Sequence, residues 1–140
     1  MAGQSRKDQL HFTIQHVADV STSRRAGMQM AINMGFAHAD ATKIAVVISE
    51  LARNILIYAR TGTIIVKEHR GLDGKRGIKI IADDNGPGIP FLDKALTEGY
   101  TTSGGLGLGL SGSKRLMDEF YIHSEVGKGT NVTAVKWLNK

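Results

Sequence analysis

The spacing of apolar residues predicts two amphipathic helices in the first half of the chain. The stronger helix is expected over residues 40–59, with Asp40 as its N-cap, because apolar residues recur there every three or four positions. Those residues are Ile44, Val47, Ile48, Leu51, Ile55 and Tyr58. The weaker helix is expected to begin at a cap within residues 21–23 and to end at Met34, before Gly35. Its predicted apolar stripe consists of Ala26, Met30 and Met34, with Gly27 and Ala31 as small neighbours.

Alternation of apolar and polar residues predicts strands elsewhere in the chain. They are expected over residues 10–14, 63–69, 78–84, 121–126 and 130–137. A glycine-rich turn joins the second and third of these into a hairpin. A third helix is expected over residues 108–120. Together these elements predict one domain over residues 1–140, with an ordered core of about 10–138.

The third predicted strand ends in two aspartates that face opposite ways. Side chains alternate along a strand, so Asp84 shares a face with Ile80 and Ala82, while Asp83 is expected to meet solvent. A carboxylate on the core side suits a buried group with a ligand. Alternatively, Asp84 merely starts an Asx turn at Asn85.

Glu50 and Asn54 lie four residues apart in the strongest predicted helix and are therefore neighbours on one face. That face borders the apolar stripe, so both side chains are expected to be partly buried. They form either a surface hydrogen-bonding pair or part of a functional site.

Two glycine clusters follow the third strand. The first contains Gly86 and Gly88, and the second consists of Gly104, Gly105, Gly107 and Gly109. Glycine costs backbone entropy, so each cluster implies positive φ or the close approach of another group, such as a nucleotide phosphate. Residues 86–106 are expected to form a mobile lid, with a short apolar-periodic piece over 91–96. The GxGxxG match at 107–112 follows no strand and is taken as accidental, and the GxxxxGK[ST] phosphate loop is absent.

Composition narrows the function further. The 140 residues are 41% hydrophobic and 22% charged, as is usual for one globular domain. No membrane span or signal peptide is expected. The absence of cysteine excludes cysteine catalysis and is compatible with the cytoplasm.

The net charge is +5 but the basic residues are scattered, so an acidic protein or nucleotide phosphates are expected as partners rather than nucleic acid. The five histidines lack metal-binding spacing.

Four motifs occur in a fixed order along the chain. They are Glu50-x-x-x-Asn54, Asp84-x-Gly86-x-Gly88, Gly105-x-Gly107-x-Gly109 and Gly129-Thr130. This set resembles the GHKL superfamily of ATP-binding domains, which includes gyrase, heat-shock chaperones, histidine kinases and MutL. Within it, the chain is similar to the anti-sigma factors and the RsbT-like stressosome kinases of bacterial partner switching. That closer likeness is carried by residues 50–54, 84–90, 102–106, 114–120 and 134–137.

The resemblance implies the GHKL (Bergerat) fold, an α/β sandwich with helices on one face of a mixed, mainly antiparallel sheet. It also implies roles for individual residues. Asp84 would accept a hydrogen bond from the adenine amino group, with support from Thr130, and Asn54 would bind Mg²⁺. Glu50 would orient or deprotonate the attacking hydroxyl. The implied ATP-binding residues are Asn54, Asp84, Gly86, Gly88, Thr102, Ser103, Gly104, Gly105, Leu106, Gly107, Leu108, Gly109 and Thr130.

One position departs from the related anti-sigma factors. Those proteins carry an arginine just before the glycine loop, where it can contact the terminal phosphate, whereas this chain has Gly105 and Leu106. Lys114 and Arg53 are the alternative cations, and slow turnover is expected.

The implied substrates are serine or threonine residues of STAS-domain scaffold proteins similar to RsbS and RsbR. The released kinase would then activate another protein, typically a PPM-type phosphatase similar to RsbU. A histidine kinase is less expected, since it needs a helical dimerisation domain with a phosphoacceptor histidine. The alternatives are an anti-sigma-like binding module, which sequesters a partner with little or no phosphoryl transfer, and a simple ATPase.

Overall fold

A computed structural model describes residues 9–89 and 110–139. The elements in this part of the chain are β1 (Gln9–Ile14), α1 (Val17–Met34), α2 (His38–Asn54), a π-helical turn (Ile55–Ala59), β2 (Gly62–Arg70), β3 (Arg76–Asp84), α3 (Leu110–Leu116), β4 (Glu119–Glu125) and β5 (Gly129–Trp137). All five predicted strands are confirmed, with shifts of one or two residues at their ends. None of the described helices is long and apolar enough to cross a membrane.

The strands form one sheet in the order β1-β2-β3-β5-β4. Every pair of neighbouring strands in it is antiparallel, so the described strands contain no parallel pair of the kind a mixed sheet would have. β5 lies between β3 and β4, and its register places Thr130 opposite Asp84. The pairing of β3 with β5 therefore joins two residues that are far apart in the sequence.

The core lies between one face of the sheet and the helices, which confirms the predicted two-layer α/β sandwich. The sheet contributes the buried residues Ile64, Val66, Ile78, Ile80, Val132 and Ala134. α2 and the π turn contribute Ile44, Val47, Ile48, Leu51 and Ile55. Each fully buried aliphatic side chain of this kind stabilises the fold by about 1.5–3 kcal/mol. The periodicity of α2 was therefore a sound guide to its buried face.

α1 begins earlier than predicted, at Val17 instead of after residues 21–23. The Asp19 carboxylate accepts hydrogen bonds from the backbone N–H groups of Gln15 and His16, both at 2.9 Å. These bonds satisfy donors at the helix start, so Asp19 fixes the first turn. They also lower the pKa of Asp19. Ser23 is buried inside the helix, where its hydroxyl donates to the Asp19 carbonyl at 2.8 Å.

The predicted apolar stripe of α1 is confirmed in part, since Met30 and Met34 pack against the core. Met30 and Met34 are only partly buried, whereas Gly27 and Ala31 are fully buried. A Cβ added at Gly27 would overlap the end of the Ile48 side chain. α1 therefore uses its small residues to approach α2 closely.

α2 starts at His38, so Asp40 lies in its first turn and does not cap it. Asp40 is still favourable there, because a negative charge stabilises the N-terminal end of a helix. The α-helix ends at Asn54 and continues as the π turn. The Arg60 N–H closes that turn on the Ile55 carbonyl at 2.7 Å, and Arg60 has a positive φ of 74°.

α3 ends at Leu116, four residues before the predicted end at Phe120. Asp118 explains the difference, because both its backbone and its side chain bind β5. Its N–H donates to the Val135 carbonyl at 2.9 Å, and its carboxylate accepts the Trp137 N–H at 2.7 Å. The chain therefore leaves the helix and continues into β4, which contains Phe120.

We expect the substitution Gly27→Ala to lower the free energy of unfolding by about 1 kcal/mol. The added methyl group overpacks the contact with Ile48, at a cost of about 1–3 kcal/mol, while the change from Gly to Ala in a helix recovers about 0.5–1 kcal/mol. The matched control is Gly112→Ala in α3, where an added Cβ meets no heavy atom within 4 Å. Urea denaturation of both variants checks this, and equal stability of the two would contradict it.

Candidate functional site

A pocket opens where β3 and β5 approach the C-terminal end of α2. Its walls are mainly apolar and comprise Leu51, Ile55, Ala82, Ile89, Leu110 and Val132. Its polar side chains are Asn54, Tyr58, Asp84 and Thr130, and Pro87 and Gly88 complete it. The fold thus brings together Asn54, Asp84, Gly88 and Thr130, which the sequence analysis had assigned to one site.

Asp84 is the last residue of β3 and lines the pocket, whereas the neighbouring Asp83 is exposed. The Oδ1 atom of Asp84 accepts a hydrogen bond from the Gly86 N–H at 2.9 Å. The Asx turn is confirmed, and Asp84 also points inward as alternation predicted, while its binding of a ligand stays a prediction.

The surroundings of Asp84 disfavour its charged form. Burial raises the pKa of its carboxyl above the ordinary value of 3.8, and the negative charge of Asp83 acts in the same direction. The backbone hydrogen bonds from Gly86 and Thr130 counter this in part. A carboxylate whose burial is incompletely compensated gains from a ligand that donates a hydrogen bond to it.

Different structural constraints require glycine at the two glycine positions after Asp84. A Cβ at Gly86 would lie 2.6 Å from the Ala59 Cβ, so the segment packs too tightly against the π turn for any side chain. Gly88 has a φ of +82°, which other residues rarely adopt. The sequence left two reasons open for this glycine cluster, positive φ or the close approach of another group such as a phosphate. In the described residues, the chain's own packing already requires both glycines.

Ser124 was not anticipated and connects three parts of the site. Its hydroxyl oxygen accepts the Ile89 N–H at 2.8 Å and lies 2.9 Å from the Thr130 hydroxyl. The neighbouring Gly127 N–H donates to the Pro87 carbonyl at 2.7 Å. Ser124 thus ties the segment after Asp84 to β5. Only its position on the inner face of β4 could have hinted at this role, because the contact is made across 35 residues.

Tyr58 packs against the core as expected, but it is only partly buried and also lines the pocket. The prediction extended α-helical spacing through residue 59. A π turn has more residues per turn than an α-helix, so side chains after Ile55 depart from the predicted α-helical spacing. Such turns are frequent at functional sites.

Asn54 is the last residue of α2 and lies on the pocket wall. Glu50 lies one turn earlier, outside the pocket lining, with its side chain 36% exposed. Its Oε2 atom is 3.2 Å from Nη1 of Arg53, an exposed pair that contributes little to stability. Of the two alternative cations, Arg53 contacts Glu50, whereas Lys114 is exposed on α3.

Part of the predicted site lies outside the described residues. This part comprises Thr102, Ser103, Gly104, Gly105, Leu106, Gly107, Leu108 and Gly109, together with the apolar piece over 91–96. The roles expected for these residues stay predictions. Within residues 9–89 and 110–139, no three His, Asp or Glu side chains cluster so as to hold a metal ion.

The sequence and the fold identify the class of protein. Residues 39–140 match the family described as histidine kinase-, DNA gyrase B-, and HSP90-like ATPase. The chain belongs to this family, which confirms the GHKL resemblance. Within it, the chain is 49% identical over 120 residues to the serine/threonine-protein kinase RsbT of Bacillus subtilis (strain 168), covering 86% of this chain and 90% of that protein. It is also 31% identical over 106 residues to an anti-sigma F factor of Clostridium kluyveri, covering 71% of this chain and 72% of that protein.

Solved structures share the fold. The RsbU and RsbW domains of a Mycobacterium tuberculosis protein match with a TM-score of 0.62 and 22% identity over 94% of this chain. This match spans about a third of that protein's chain, 33%. A chain of the SiaB–SiaC complex from Pseudomonas aeruginosa matches with a TM-score of 0.60 and 15% identity, covering 90% of this chain and 89% of the other.

We expect Asp84→Asn to stabilise the ligand-free protein at neutral pH. Because the folded-state pKa is raised, ionised Asp84 is less favourable in the folded than in the unfolded chain. The advantage of the variant over the wild type is present above the raised pKa. It disappears as the pH falls below 3.8, since the wild-type carboxyl is then protonated in both states.

Urea denaturation at several pH values measures this difference. Asp83→Asn is the control, because it makes the same change at the adjacent, exposed position. A wild type at least as stable as Asp84→Asn at neutral pH would contradict the prediction.

Proposed function

We propose that this chain is an ATP- and Mg²⁺-dependent protein serine/threonine kinase that also acts as a partner-switching regulator of bacterial stress signalling. The observation that carries this proposal is the placement of Asp84 in an apolar pocket that also contains Asn54. Glu50 lies one helical turn before Asn54, on the solvent side.

The pocket suits an adenine ring. Its apolar walls can cover the faces of the ring, and the Asp84 carboxylate can accept a hydrogen bond from the exocyclic amino group. Thr130 lies opposite Asp84 in the register of β3 and β5 and supports it. Such a bond would offset the unfavourable burial that raises the pKa of Asp84.

Asn54 is the residue that we assign to Mg²⁺. Its amide oxygen is a hard ligand, and Mg²⁺ is commonly held by one or two protein groups together with substrate phosphates and water. The glycines Gly105, Gly107 and Gly109 would bind the phosphates through their backbone N–H groups.

We assign to Glu50 the role of acting on the protein hydroxyl. The hydroxyl oxygen of the acceptor serine or threonine attacks the γ-phosphorus, the bond to the β–γ bridging oxygen breaks, and ADP leaves. Glu50 orients the hydroxyl and takes its proton. The partial exposure of Glu50 leaves room for a protein substrate, and its carboxylate contacts Arg53 at 3.2 Å.

We infer the substrates and partners from the family. The substrates are serine or threonine residues of STAS-domain scaffolds of the RsbS and RsbR type, in the cytoplasm. The effector is a PPM-type phosphatase of the RsbU type. Support comes from the 49% identity to a protein named as the kinase RsbT. The 31% identity to an anti-sigma F factor favours one alternative, a nucleotide-dependent module that sequesters its partner with little or no phosphoryl transfer.

We expect the protein to transfer labelled phosphate from ATP to a STAS-domain serine or threonine in the presence of Mg²⁺. Glu50→Gln should reduce this transfer at least about 100-fold, in the range of a lost general base, while ATP binding is retained. Glu68→Gln is the matched control, since Glu68 lies on β2 and is bonded to Arg76 at 2.7 Å. Binding of ATP and a STAS protein by the wild type without transfer would favour the sequestration alternative.

We also expect selectivity for ATP over GTP, because guanine carries a carbonyl group where adenine carries its amino group. Asp84→Asn should weaken ATP binding about 10-fold or more, since a hydrogen bond to a charged group contributes about 1.5–3 kcal/mol. Asp83→Asn should bind ATP as the wild type does. Calorimetric titration of the three proteins measures this, and similar affinities for ATP and GTP would refute the role of Asp84.

A further inference from the structure

The hydroxyl group of Tyr58 is buried and has no hydrogen-bond partner among the described residues. A buried hydroxyl without a partner destabilises a protein, and a phenylalanine would fill the same space without that penalty. The Ser113 hydroxyl shares this condition, but Ser113 does not line the pocket. Tyr58 does line it.

Tyr58 lies towards the Asp84 end of the pocket. It follows Asn54 by four residues, on the side away from Glu50. The next residue, Ala59, packs against Gly86, and the Gly86 N–H is bonded to the Asp84 carboxylate. The order along α2 and the π turn is therefore Glu50, Asn54 and then Tyr58, and the last of these is beside the segment that holds Asp84.

We propose that Tyr58 is a nucleotide-binding residue whose hydroxyl forms a hydrogen bond with the adenosine part of the bound nucleotide. This inference rests on the proposed ATP-binding function and adds a second polar contact to the one assigned to Asp84. The contact exists only in the complex, so the hydroxyl is unsatisfied in the free protein. The π turn matters because it carries Tyr58 into the pocket.

The test compares Tyr58→Phe with the wild type in two measurements. Calorimetric titration should show that the dissociation constants for ATP and ADP both rise about 3- to 10-fold, as for the loss of one hydrogen bond. The two factors should be equal, because the adenosine part is common to both ligands. Urea denaturation without nucleotide should give a midpoint no lower than that of the wild type.

Tyr121→Phe is the matched control. Tyr121 is exposed on β4, and its hydroxyl is bonded to Glu119 at 3.3 Å, so neither measurement should change. Unchanged affinities in Tyr58→Phe, with a wild type that binds ATP, would overturn this inference alone. A loss confined to ATP would overturn the assignment to adenosine, and a lowered midpoint would show that the hydroxyl is already bonded in the free protein. A wild type that binds neither nucleotide would overturn the proposed function as well.

Discussion

The packing of α2 across the inner face of the sheet is the interaction on which the rest of the structure depends. Ile48 and Leu51 hold the helix in the core, while Glu50 and Asn54 lie on the same helix beside them. The inner face of β3 likewise passes from buried isoleucines to Asp84. Because the same two elements carry both sets of residues, the hydrophobic core fixes where the polar groups of the site meet.

The π turn connects the core-packed part of α2 to the pocket. Ile55 still belongs to the core, whereas Tyr58 and Ala59 reach the segment after β3. The turn can come this close only because its neighbours are small. A Cβ at Gly86 would meet Ala59 at 2.6 Å, and one at Gly62 would meet the Ile55 side chain at 2.9 Å. Substituting either glycine would therefore disturb the site through its scaffold.

Local patterns predicted the features that depend on local geometry. The strands and the inward direction of Asp84 follow from alternation along the backbone, which tertiary contacts do not change. Long-range contacts decided the rest. Asp118 ends α3 through hydrogen bonds to β5, and Ser124 joins the site across 35 residues. The pocket role of Tyr58 was missed because one wider helical turn changes the direction in which the side chains after Asn54 point.

The two ends of the proposed site differ in how well their polar groups are satisfied. Near Asp84, burial raises the carboxyl pKa and the Tyr58 hydroxyl lacks a partner among the described residues, so a ligand improves the surroundings of both groups. At the other end, Glu50 is partly exposed and already paired with Arg53. On the proposed function, binding energy would come mainly from the adenosine end. The solvent-facing end would stay open to a protein hydroxyl. On the proposed function, this division would let the protein keep its nucleotide while it exchanges one protein partner for another.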